Sequence, residues 1–400
     1  MKAFLQFAAV ISLALATAPA VFAQHYTQVN LVSNTSGVAP VTDPNLVNPW
    51  GLSRTSGSPW WTSDNGAGLA TLYSGAGTVI PLVVTIPVSD PNSKTFPAGT
   101  PTGTIANGSA TDFVLGPNAP ALFLFSTIDG TISGWNPTVG IARGGAPPST
   151  HAVIEVKTKD GSSYTGLTAA KINGKTYLYA ANFTRGRVDV WDNAFHKITL
   201  KLDGDRHDHD NDSDDDRPFT DNHLPRNYVP FNVEAIGNDI VVTFVLHHEG
   251  DPLETDGAGL GYVDIFSSEG KLLRRLEHGP WLNAPWGVAL APLDFGTFSH
   301  DLLIGQFAGG ETTGYGGTIA AYDLATGEFR GLVKDSTNKT LSIAGLWSLS
   351  PGNPASANSY DPAAAPGGAL YFTAGPDHGT GGLFGYLKPV STELTEGNRQ

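Results

Sequence analysis

The sequence predicts an all-β protein, a single six-bladed β-propeller whose ring is closed by a strand near the N-terminus. Short apolar runs rich in β-branched and aromatic residues recur along the chain, bounded by glycine, asparagine and aspartate. They group into six units of roughly 50–65 residues, the spacing expected of four-stranded blades. No stretch beyond residue 23 shows the long 3.6-residue apolar period that indicates a helix.

The two clearest units share the step Pro-Trp-Gly. It stands at residues 49–51 in the first unit, before strands at 60–65 and 69–73, and at residues 285–287 in the fifth unit. The weaker second, third, fourth and sixth units are expected to open at Thr111, Tyr164, Pro230 and Ile343.

One strand, Tyr26 to Val32, precedes the first unit. We expect it to pair beside the last blade, because an open propeller would expose two sheet edges. Stretches such as 271–276 and 329–333 supply the outer strands of their blades. A two-domain β-sandwich protein is the alternative architecture.

Residues 1–23 have the features of a secretory signal: Lys2, an apolar run from Phe4 to Ala16, and Ala23 at the expected cleavage point. This predicts export to the periplasm or the medium, with a buried N-terminal helix as the alternative. The propeller is then expected over residues 24–390, followed by a polar tail at 391–400. The chain has no cysteine, which excludes disulfides, thiol catalysis and cysteine-bound metals.

The formal net charge of −14 argues against two classes of partner. A nucleic-acid binder needs a basic face to neutralise phosphates, and anionic membrane surfaces also attract basic segments. No later stretch is apolar enough to span a membrane. The expected partner is therefore a small molecule, a glycan or another protein.

Candidate ligands for a channel site are polar residues near the predicted blade openings. Their amide, hydroxyl and carboxylate oxygens suit a hard cation such as Ca²⁺. In several blades, however, glycine takes the equivalent place, and Asn and Asp also cap strand ends by bonding to local backbone. The channel-mouth candidates are Asn48, Asp112, Thr165, Asn232, Glu234 and Asn283.

A second candidate is the acidic segment 203–216, which holds eight carboxylates in fourteen residues. Its Asp210, Asp212, Asp214 and Asp216 alternate as in the first half of an EF-hand loop. The sixth and twelfth positions counted from Asp210 are Asp215 and Asp221 rather than Gly and Glu, so an EF-hand is not predicted. Weak Ca²⁺ binding and a simply solvated loop both stay open.

Several motifs together resemble an uncharacterised bacterial family of exported β-propeller proteins. They lie at residues 48–52, 230–233, 282–287, 301–305 and 370–376, and the segment 203–216 is an insertion relative to that pattern. The resemblance implies the fold and export but brings no established activity. The blade openings are also similar, more weakly, to NHL-type repeats, which often serve as binding platforms.

The leading functional hypothesis is an exported scaffold that binds a ligand or a protein, because no assembled catalytic motif is visible. The alternative is a Ca²⁺-dependent lactonase- or esterase-like hydrolase of the gluconolactonase type, with its site at the channel mouth. The sequence thus favours binding over catalysis, with no certain cofactor.

Overall fold

The computed structural model describes residues 24–202, 217–308, 316–352 and 368–393. The predicted signal at 1–23, the acidic segment 203–216 and most of the polar tail lie outside the described residues. Strands β1 (Tyr26–Ser33) and β2 (Val41–Thr42) precede the first complete blade.

Six sheets form the blades, each with four antiparallel strands from channel to rim; in the sixth, the two-residue strand β2 adds a fifth strand by pairing parallel with β1. The first is β3 (Pro49–Ser53), β4 (Trp60–Asp64), β5 (Leu69–Tyr73) and β6 (Val79–Thr85). The second is β7 (Pro101–Ala106), β10 (Phe123–Thr127), β11 (Thr131–Trp135) and β12 (Val153–Lys157). A separate hairpin of β8 (Val114–Gly116) and β9 (Ala119–Pro120) lies between β7 and β10 in the chain. The third is β13 (Tyr164–Ile172), β14 (Lys175–Asn182), β15 (Arg187–Asp192) and β16 (Lys197–Ile198).

The remaining three blades follow the same plan. The fourth is β17 (Tyr228–Ile236), β18 (Asp239–Leu246), β19 (Tyr262–Phe266) and β20 (Leu272–Arg275). The fifth is β21 (Pro285–Leu290), β22 (Leu302–Gln306), β23 (Ile319–Tyr322) and β24 (Phe329–Leu332). The sixth is β25 (Leu346–Pro351), β26 (Leu370–Ala374), β27 (Leu383–Pro389) and β1. A short helix, α1 (Pro376–Gly379), joins β26 to β27, and two 3₁₀ turns lie at Gly296–Phe298 and Ser391–Glu393.

The ring closes through the N-terminal strand, as the sequence predicts. Strand β1 pairs antiparallel with β27, from Tyr26 opposite Pro389 to Ser33 opposite Leu383. The outer strand of the last blade therefore comes from the opposite end of the chain, and β27 is not left as an open edge.

The predicted opening of the second blade is wrong. Its innermost strand is β7, whereas residues 111–114 lie in the connection that leads into the β8–β9 hairpin. The error has a simple cause: β7 reads Pro-Thr-Gly-Thr-Ile-Ala and lacks the aromatic residue that marks the other openings. Asp112 is therefore not on a channel-lining strand.

A β-bulge recurs at one level of the innermost strands. In all six blades the pairing between the first and second strands shifts register near its beginning. Bulges re-aim side chains and are frequent beside functional sites. The residues at this level are Trp50, Thr102, Thr165, Phe231, Trp286 and Trp347.

The residue after each bulge sits where neighbouring blades touch. A Cβ atom on Gly51 would lie 2.5 Å from the carbonyl oxygen of Thr102, and one on Gly287 would lie 2.5 Å from that of Trp347. Real Cβ atoms do not approach a carbonyl so closely. Glycine at these positions lets the innermost strands pack in direct contact around the axis.

Among the described residues, the model contains no helix with the length and apolar character needed to cross a membrane.

Candidate functional site

A cavity of about 510 Å³ opens at one mouth of the channel, and we call it the basin. Its floor includes the bulge residues Trp50, Thr165, Phe231 and Trp347. Above them, the residue after the second strand of several blades forms the wall, at Asn65, Ile128, Phe183, Phe307 and Gly375.

Aromatic rings from different blades pack on one another at the channel axis. The indole of Trp347 is stacked between Trp50, with ring centroids 3.6 Å apart, and Phe307, at 3.7 Å. The ring of Trp286 meets two of these rings edge-on, with its centroid 6.1 Å from that of Trp50 and 5.6 Å from that of Trp347. The tryptophans thus pack between blades, and two of them also line the basin.

Some polar atoms of this floor have hydrogen-bond partners and others do not. Trp347 Nε1 donates to Asn48 Oδ1 at 2.9 Å, and Trp286 Nε1 donates to the carbonyl of Thr165 at 2.9 Å. Trp50 Nε1 and Thr165 Oγ1 are buried, and neither has a hydrogen-bond partner within the described chain. A buried polar group left unpaired costs about 1–3 kcal/mol, and such groups are uncommon in native interiors. The floor of the basin therefore holds two buried polar atoms that the described chain does not satisfy.

Three carboxyl groups lie around the basin. Glu254 and Asp256 belong to the connection between β18 and β19, and Asp377 belongs to α1. Burial raises the pKa of Glu254 to about 7, with the negative charge of Asp256 as a smaller contribution in the same direction. The only other ionisable side chain that lines the basin within the described residues is His378, so no lysine or arginine does so there.

Hydrogen bonds hold the acidic connection in place. The backbone N–H of Thr255 donates to the carbonyl of Leu246 at 2.8 Å, and that of Gly257 donates to Asn283 Oδ1 at 2.8 Å. Asn283 is fully buried, and its own backbone N–H donates to Gln306 Oε1 at 2.8 Å. Asn283 thus supports the loop that carries the carboxylates instead of facing the channel.

The turn bearing Asp377 has a strained backbone. Asp377 and His378 have φ of 54° and 55° and are followed by Gly379 at 79°. For a residue other than glycine this left-handed region costs roughly 1–2 kcal/mol. Consecutive residues of this kind persist only where the surroundings impose them, and they concentrate at functional sites.

Asn48 is the residue that fixes this turn. Its backbone N–H donates to the carbonyl of Gly381 at 2.9 Å, and its amide lies directly against Gly375 and Gly379. A Cβ atom on Gly375 would collide with Asn48 Oδ1. Asn48 therefore connects the first blade, the strained turn and Trp347.

The six channel candidates occupy separate places. Asn48 and Thr165 line the basin. Asn232 and Glu234 line a narrow void of about 20 Å³ nearer the middle of the channel. There Asn232 Nδ2 donates to the carbonyl of Trp286 at 2.7 Å, and burial raises the pKa of Glu234 to about 8.

The other two candidates are outside the channel. Asn283 lies under the acidic connection, and Asp112 lies between the second and third blades. Asp112 accepts hydrogen bonds from Thr176 Oγ1 at 2.8 Å and Asn193 Nδ2 at 2.7 Å. These bonds lower its pKa although partial burial alone would raise it. The six residues do not converge on one point.

Metal binding by the acidic segment stays a prediction, because Asp210, Asp212, Asp214 and Asp216 lie outside the described residues. Within the described ranges, no group of three or more histidine, cysteine, aspartate or glutamate side chains is arranged to hold a metal ion.

Sequence reasoning missed Phe183, Phe307, Glu254, Asp377 and His378 as basin residues. A signal existed for the two phenylalanines: each follows the second strand of its blade, so aligning the six units at that strand places them in one column. The three ionisable residues lie in connections with no repeated pattern, and only the tertiary structure brings them to the basin.

Together, the fold and the basin define a β-propeller with a ligand-sized cavity at its channel mouth. No family model matches the chain. An uncharacterised protein of Acanthamoeba polyphaga mimivirus is 28% identical over 325 residues, covering 80% of this chain and 72% of that protein. A second uncharacterised mimivirus protein is 27% identical over 376 residues, covering 89% and 84%. The expected membership of a bacterial family is therefore wrong: these relatives are viral.

Solved structures with similar folds are more distant in sequence. A streptogramin B lyase has a TM-score of 0.45 at 11% identity, covering 92% of this chain and 98% of that one. A protein of unknown function from Bacteroides thetaiotaomicron has a TM-score of 0.49 at 10% identity, covering 92% and 76%. Likeness at this level says nothing about chemistry.

Proposed function

We propose that this protein is a non-catalytic binding propeller that takes one small, largely apolar ligand into the basin. The observation that carries the proposal is the repeated bulge, which brings aromatic side chains of separate blades together as the floor of one cavity. The volume of about 510 Å³ falls within the usual range of small-molecule sites, roughly 300–1,000 Å³.

The strained and unsatisfied groups around the basin support the same proposal. Unpaired polar atoms at Trp50 and Thr165 and the strained turn at Asp377 are all found around this one cavity. A fold that needed only a packed channel would gain stability by removing them. Unpaired polar groups and strained backbone that border a cavity are typical of a site kept for binding.

The geometry favours binding over the calcium-dependent hydrolase. That alternative needs several oxygen ligands within about 2.3–2.6 Å of one ion. The six candidate residues are instead divided among the basin, the narrow channel, the support of a loop and the boundary between two blades.

Export is part of the proposal and rests on residues 1–23 alone. Expression of the full chain with a C-terminal tag, followed by cell fractionation, tests it. Retention in the cytoplasm with residues 1–23 uncleaved would contradict export without affecting the basin.

Binding is tested with N-phenyl-1-naphthylamine, a neutral apolar dye whose fluorescence rises on leaving water. Ala344 lines the basin and is only half-buried, so Ala344→Trp should fill the cavity and abolish saturable binding. Ala325→Trp, the same change in an exposed turn between β23 and β24, is the matched control. Equal binding by the two variants, or no saturable binding by the unmodified protein, would refute the proposal.

A further inference from the structure

We propose that the ligand of the basin carries a positive charge next to its apolar part, as a substituted ammonium compound does. This inference rests on the proposed function and specifies its ligand class. It follows from two independent features of the cavity: acidic residues of two blades line it, and aromatic rings line both its floor and its wall.

Most of the ionisable side chains that line the basin are acidic. Glu254 and Asp256 approach from the fourth blade, while Asp377 approaches from the sixth, beside His378. Within the described residues, no lysine or arginine lines the cavity. An anionic ligand would meet repulsion on both sides, whereas a cation would be attracted from both.

The carboxyl of Glu254 is also held where water stabilises it poorly. Burial and the neighbouring Asp256 both disfavour the ionised form of Glu254, which is the reason for its raised pKa. A cation beside Glu254 supplies a counter-charge to its carboxylate, so its binding relieves an unfavourable interaction already present in the free protein. A neutral ligand leaves that interaction in place.

The aromatic surface suits the same class of ligand. Cations are attracted to the faces of indole and phenyl rings within about 6 Å of the ring centre. Phe307 is half-buried and stacks on Trp347 while lining the cavity, and Phe183 and Trp50 line it as well. Alkylated ammonium groups gain most from such surroundings, because they lose less hydration than a bare ammonium ion.

The test uses a matched pair of probes, phenyltrimethylammonium and its uncharged carbon isostere tert-butylbenzene. Each displaces bound N-phenyl-1-naphthylamine at pH 8.5, above the pKa of about 7 for Glu254. We expect the cation to bind at least about tenfold more tightly than the isostere, since a charge pair at intermediate dielectric is worth at least that factor. Raising the salt concentration should weaken only the cation, because salt screens charges.

The variants separate charge from shape. The double variant Glu254→Gln and Asp377→Asn should lose about tenfold or more in affinity for the cation and keep its affinity for the isostere. Asparagine tolerates the left-handed backbone at position 377, so the turn is retained. Glu249→Gln is the control: it makes the same charge change as Glu254→Gln in the same connection, but Glu249 is exposed and does not line the basin. It should leave the affinities for both probes unchanged.

Each outcome decides one of the two proposals. Equal or tighter binding of tert-butylbenzene, or an unchanged preference in the double variant, overturns the cation assignment and leaves a binding basin. If neither probe displaces the dye, the cation assignment is likewise overturned. Failure of the dye itself to bind overturns the proposed function, and the cation assignment with it.

Discussion

Tyr26 is the residue at which ring closure can be measured. It lies on β1, the outer strand of the sixth blade, yet it packs on the fifth blade. Its ring lies 4.6 Å from that of Phe295 and 6.1 Å from that of Phe298, and its hydroxyl donates to the carbonyl of Phe295 at 2.7 Å. Its backbone N–H donates to the carbonyl of Lys334 at 2.8 Å. One side chain thus joins the closing strand to the neighbouring blade.

The expected losses follow from these contacts. Tyr26 is 1% exposed, so Tyr26→Ala leaves a cavity and should lower the free energy of unfolding by about 3–5 kcal/mol, the range for a buried aromatic residue. Tyr26→Phe keeps the ring and loses only the hydrogen bond to Phe295, for about 1–2 kcal/mol. A typical domain has about 5–15 kcal/mol in total, so the alanine change is large. Deletion of 24–33, which also removes the buried Leu31 and Val32, should abolish cooperative folding.

Urea denaturation followed by tryptophan fluorescence measures these differences. Thr27→Ala, at the exposed neighbouring position of the same strand, is the control and should change stability by less than about 0.5 kcal/mol. If Tyr26→Ala is no more destabilising than Thr27→Ala, or if the 24–33 deletion melts like the complete protein, the N-terminal strand does not hold the ring together.

Three further outcomes are expected. Gly287→Ala should cost about 1–3 kcal/mol in urea denaturation, because its Cβ meets the next blade, whereas Gly57→Ala, which meets nothing within 4 Å, should be nearly neutral. Burial raises the pKa of Asp64 from 3.8 to about 8, so its contribution to stability is complete below pH 3.8 and lost as pH rises through 8. The free energy of unfolding should therefore fall between pH 5 and 9 in the unmodified protein, and it should fall by at least about 1.4 kcal/mol less in Asp64→Asn. Equal falls in the two proteins would contradict this. Because Glu254 must ionise to attract a cation, affinity for phenyltrimethylammonium should rise between pH 6 and 8. A rise that persists unchanged in Glu254→Gln, which keeps the other ionisable side chains of the basin, would count against this role.

Much of the fold could be predicted from the sequence, because strand alternation and turn residues are local signals. The Pro-Trp-Gly step located the first and fifth blades, and the unpaired apolar strand beginning at Tyr26 indicated closure. The second blade is mispredicted where this local signal is weak: Thr102 stands where four of the other five blades have an aromatic residue, and Asp112 is consequently expected in the channel.

The site depended on contacts between residues far apart in the chain. The sequence predicts Asn48 and Thr165 as polar residues at blade openings, and both line the basin. Their neighbours there, Glu254 and Asp377, lie in irregular connections whose course no periodic pattern reveals. The sequence by itself determined how many blades form and how the ring closes, because burial of alternating side chains and pairing of edges act along each strand. The tertiary structure alone decided which side chains meet at the axis, because the repeated bulge and the packing of six blades bring distant residues into one cavity.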